Sequence, residues 1–188
     1  MRRLVLVALA ITLASCGWSS ATRLIPLSER AVPQLSGEYV FAGRTVTYGR
    51  KLGGSLMELI VRTSEGDTSR KVVAFDHVRH VHDDYEMRDF YLVETDVSTP
   101  ENGSNFAYQL IEVTQGLDED GSRLPDKTIR EYRLNCSDAS DGFDNNPDER
   151  CRFSRYADVM AAVRDVLVWM DDPRIPLMSD HGSQPKED

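Results

Sequence analysis

Three of the four histidines fall within one short stretch, at His77, His80 and His82, with Asp76, Asp83 and Asp84 beside them. Imidazole nitrogens with a carboxylate oxygen are a donor set that zinc and related divalent ions take. On a strand, side chains alternate between faces. His80 and His82 then share one face, Asp84 joins them if the strand runs on, and His77 points the other way. The expected zinc-type set is therefore His80, His82 and Asp84, with a fourth ligand or a water completing it. The alternative is a solvated strand face with Arg79 among its neighbours.

A second donor-rich stretch runs from Asp138 to Glu149, with Asp138, Asp141, Asp144 and Asp148 spaced around Gly142. Calcium takes six to eight oxygens, and loops of Asp and Asn around a glycine supply them. The stretch departs from the EF-hand pattern, because Ser137 and Ala139 stand where acids belong. Asp141-Gly142, Asp144 and Asp148 are loosely similar to the Asp-rich repeats of thrombospondin-type modules, here in a single copy. The alternative is an acidic loop kept soluble and pinned at its ends.

Other chemistry finds little footing. Gly53-Gly54-Ser55 lacks the glycine that follows the serine of a nucleophile elbow. Gly49 to Gly54 lacks the terminal Lys-Ser/Thr of a phosphate loop. The net charge of −9 repels phosphate backbones, so nucleic acid is not an expected partner. An envelope hydrolase stays open only as an alternative.

The three cysteines divide by position. Met1-Arg2-Arg3 supplies positive charge, and the run from Leu4 to Leu13 is apolar but for Thr12. That run is about half the ~20 residues a helix needs to cross a bilayer, so it fits the apolar core of a signal peptide. Leu13-Ala14-Ser15-Cys16 then resembles the lipobox of bacterial lipoproteins. The resemblance implies cleavage before Cys16, a diacylglyceryl group on its thiol, an acyl chain such as palmitate on its new amino group, and attachment to a membrane. Gly17, where an Asp would resemble an inner-membrane retention signal, implies an outer-membrane lipoprotein facing the periplasm. Cys136 and Cys151 remain, an even pair in an oxidising compartment, and are expected to form a disulfide.

The elements that would position these residues follow from patterning. Residues 1–15 read as the leader, and residues 16–35, carrying Ser, Thr, Arg and two prolines, as a flexible tether with a reach of roughly 25 Å. Residues 36–172 read as one α+β domain. Its strands are expected over 37–48, 56–63, 71–82, 88–97, 106–114 and 128–135. Tyr156, Val159, Met160, Val163, Val166, Leu167 and Met170 recur at three and four and mark one face of a helix, capped by Ser154 and stopped at Asp172-Pro173. The fold expected is an antiparallel β-meander of about six strands, curled or partly closed, with that C-terminal helix packed on it. Residues 173–188 read as a polar disordered tail.

The leading functional expectation is a non-catalytic module of the cell envelope, bound to the membrane through its N-terminal lipid and able to hold a protein or glycan partner. Lipoprotein inhibitors of lysozyme resemble this plan in outline only. The alternative is a periplasmic metal-binding protein using zinc at His80, His82 and Asp84 or calcium in the 138–149 loop.

Overall fold

A computed structural model describes residues 17–35, 37–41, 43–50, 55–101, 103–134, 151–170, 180–182 and 184–185. The chain is α+β, mostly strand with one C-terminal helix. Seven consecutive strands form an antiparallel meander: β3 (Glu38–Phe41), β4 (Arg44–Arg50), β5 (Leu56–Arg62), β6 (Thr68–His82), β7 (Glu86–Asp96), β8 (Phe106–Leu117) and β9 (Arg123–Arg133). The first expected strand is in fact two, because Gly43, at φ 78°, turns the chain between Phe41 and Arg44. A β-carbon is strained at that φ, and glycine has none.

Alternation assigns the two faces. Tyr39, Phe41, Val46, Tyr48, Met57, Leu59, Val73, Phe75, Val93, Ile111, Val113 and Ile129, drawn from all seven strands, meet in one core. Leu92, Leu110, Phe90, Tyr108 and Tyr132 point to the other face. There they pack with the helix α1 (Tyr156–Met170) through Val159, Ala162, Val163, Val166 and Leu167. These helical residues recur every three or four positions, so one stripe is buried and the rest solvated. The helix starts from Arg155, whose carbonyl accepts from the amides of Asp158 and Val159. Arg155, and not Ser154, holds the capping position, its guanidinium on the Asp158 carboxylate at 2.8 Å.

The tether expected over 16–35 is corrected by the packing of 17–35. Trp18, Ser20 and Ile25 are at most 1% exposed. β1 (Ser19–Ser20) pairs with β8 at Ala107 and Phe106, beyond the point where β9 leaves that edge at Gln109. β2 (Arg30–Ala31) pairs with β6 at Asp76 and Phe75, where β5 has ended at Ala74. Between them the chain crosses β7, where the Glu94 carboxylate accepts from the amides of Leu24 (2.6 Å) and Ile25 (3.1 Å) and pairs with Arg23 at 2.9 Å. Composition read as linker is thus a strap across three strands. β10 (Arg152–Phe153) runs parallel to β1, and the Trp18 and Phe153 rings meet edge to face at 5.2 Å.

The disordered tail is corrected at two places: β11 (Asp180–Gly182) pairs with β9 and β12 (Gln184–Pro185) with β3. No helix among the described residues is long and apolar enough to cross a membrane.

Candidate metal centre

The hairpin of β6 and β7 carries the histidines. Its turn is built by Asp83, whose carboxylate accepts from the amides of Tyr85 (2.9 Å) and Glu86 (3.0 Å). Those two bonds hold the Asp83 carboxyl below its usual range, and they fix the register: His82 faces Met87 and His80 faces Asp89. Further along, Arg79 faces Phe90 and His77 faces Tyr91, so Val78 is an extra residue on β6. Such a bulge sets two residues against one and reverses the alternation beyond it. Val78 packs toward the helix-side core, and the Arg79 guanidinium lies 5.9 Å over the Phe90 ring.

The reversal brings His77 to the face that holds His80 and His82. The His77 Nε2 and the His80 Nδ1 each donate to the same oxygen, Asp89 Oδ1, at 2.8 Å. The ligand atoms of His77, His80 and Asp89 lie within 4.8 Å of one another. His82 follows along the row, its ring 6.4 Å from that of His80. Asp84 sits in the exposed bend after β6, apart from this group. Of the residues expected at one site, His80, His82 and Asp84, the structure brings His80 together with His77 and Asp89. The hairpin register pointed to Asp89, since a turn over Asp83–Tyr85 that pairs His82 with Met87 also pairs His80 with Asp89. Nothing in Val78 itself announced the bulge.

Asp89 lies on the sheet face opposite α1, with Tyr91 and Val113 as neighbours on that face, and borders a cleft of about 180 Å³. The segment Val32–Leu35 forms one wall, and Arg123 and Lys127 stand at its rim, Lys127 Nζ donating to the Gln34 carbonyl at 2.7 Å. Burial pushes the Asp89 carboxyl up, but the hydrogen bonds and charges of His80 and His77 outweigh it and hold the group below its ordinary range. Tyr91, whose ring is 5.1 Å from that of His77, is pushed up to about 12 by burial and by the Asp89 charge.

Two imidazoles and one carboxylate, with an open side toward solvent, meet the ligand count of a zinc ion that keeps a water in its fourth position. Bonds of about 2.0–2.1 Å in a tetrahedron place ligand atoms roughly 3.3 Å apart, so the two 2.8 Å contacts need to open by about half an ångström, and each nitrogen must release the proton it donates to Asp89 or shift it to the other ring nitrogen. The side chains of His77 and His80 are 41% and 43% exposed, which leaves them room to do so.

The remaining buried acids are structural. Asp76, Glu94 and Glu112 all lie on the helix-side face, and each takes a tyrosine hydroxyl: Tyr156, Tyr108 and Tyr132 respectively. The Arg130 guanidinium lies 3.6 Å from Glu112. Of the other expected site residues, Cys16, Cys136, Asp138, Asp141, Asp144 and Asp148 lie outside the described residues. Cys151 is buried and disulfide-bonded. No protein-family model, no curated protein and no solved structure matches the chain.

Proposed function

We propose that this protein is a lipid-anchored module of the bacterial cell envelope that binds a divalent ion of the zinc class at His77, His80 and Asp89. The observation that carries the metal reading is the convergence of His77 and His80 on one oxygen of Asp89. The envelope reading is supported by the Leu13-Ala14-Ser15-Cys16 sequence and by a disulfide at Cys151, which suits an oxidising compartment. In this reading Cys16 carries the lipid, Cys136 is the partner of Cys151, and the domain faces the periplasm from the outer membrane. It acts by binding, without catalysis, and its macromolecular partner is an envelope protein or glycan.

In this reading the sheet is curled, which suits the role. Gly182 of β11 and Gln184 of β12 are two residues apart, yet their strands pair with opposite ends of the meander.

Thermal unfolding with and without zinc tests the metal reading. At a hundred times Kd, binding to the folded state alone stabilises by ~2.7 kcal/mol. A shift with zinc that is absent in H77A and D89A supports it, and an unchanged midpoint in the parent protein contradicts it. Mass spectrometry of native material tests the anchor separately, through the acyl mass on Cys16.

A further inference from the structure

We infer that the domain sits directly on a lipid surface, with no spacer. The inference rests on the proposed acylation of Cys16. Only Gly17 separates that residue from Trp18, which is 1% exposed. The Tyr108 amide donates to the Trp18 carbonyl at 3.0 Å, and the Ser19 amide donates to the Cys151 carbonyl at 3.1 Å. The Ser20 hydroxyl is bonded to the Tyr108 hydroxyl at 2.8 Å and to the Thr22 carbonyl at 2.6 Å. Successive Cα atoms are 3.8 Å apart, so the acylated residue has its Cα within about 7.6 Å of the Cα of Trp18. The strap does not peel to lengthen that distance without exposing Trp18 and breaking the bonds of Trp18, Ser19 and Ser20 to Tyr108 and Cys151.

Energy transfer from Trp18 to dansyl-labelled headgroups tests the inference on the full acylated chain in phosphatidylethanolamine–phosphatidylglycerol vesicles. The chain has two tryptophans, and W169F leaves Trp18 as the sole donor. A second variant adds a Gly/Ser spacer of about ten residues between Cys16 and Gly17, with an r.m.s. reach of ~17 Å. The expected result is strong transfer in W169F and loss of most of it with the spacer. Equal transfer with and without the spacer, in protein that floats with the vesicles, overturns the seating and leaves the anchor standing. Protein that carries no acyl mass and does not float overturns both.

Discussion

His77 and His80 stand three positions apart on one strand, an odd spacing, yet their imidazoles meet the same oxygen of Asp89. The extra residue at Val78 reconciles the two facts. A bulge beside a donor cluster re-aims one side chain without moving the rest of the ladder, a recurrent use of bulges near functional sites.

The strap from Trp18 to Ala31 depends on a buried ion pair, and breaking it should release the strap first. Glu94 is fully buried and Arg23 is largely so. Removing one partner of such a pair leaves an uncompensated charge and costs about 3–5 kcal/mol. R23A is expected to lower stability by that order. Hydrogen exchange checks the location: protection should fall for Ser19–Ala31 before it falls for β7.

Asp76 and Tyr156 tie α1 to β6. The Tyr156 hydroxyl donates to the Asp76 carboxylate, and Asp76 is 5% exposed. Y156F leaves that buried acceptor without its donor, with an expected cost of about 1–3 kcal/mol. D76N in the same background should recover part of the loss, because an amide tolerates burial better than a charge. Urea unfolding of the two single variants and the double variant measures the coupling.

The same aspartate sets a pH dependence. Burial raises its carboxyl above the ordinary 3.8, although the Tyr156 hydrogen bond opposes the shift. A raised folded value means the folded state holds the proton more tightly than the unfolded chain. The contribution of Asp76 to stability is then fully present below pH 3.8 and is lost as pH rises through the folded value. The stability of D76N relative to the parent protein should therefore increase over that interval and level off above it.

The disulfide is expected to join Cys136 and Cys151. A loop near 15 residues gives about 3 kcal/mol in the chain-entropy model. C136S should lose that order of stability, and reduction of the parent protein should lower its melting temperature while leaving C136S unchanged. Non-reducing peptide mapping identifies the partner directly.

Much of the fold was legible in the sequence. Met57 and Leu59 alternate with Glu58, and the strand is there; Val159, Val163, Val166 and Leu167 recur at helical spacing, and the helix is there. The strap was not legible because its anchoring is tertiary: a Ser-, Thr- and Pro-bearing stretch looks like linker until Glu94, some 70 positions away, is known to receive its amides. The cluster of His77, His80 and Asp89 was half legible. His80 was found by residue type. Strict alternation puts His77 on the other face because it holds only in an unbulged strand, and Asp89 requires the pairing partner of β6 as well as its sequence.

Calorimetric titration of zinc into the protein and into H77A, D89A and D84A tests the central claim most directly. The account predicts one ion per chain, with binding abolished in H77A and in D89A and retained in D84A. Binding retained in D89A, or no binding by the parent protein, would contradict it.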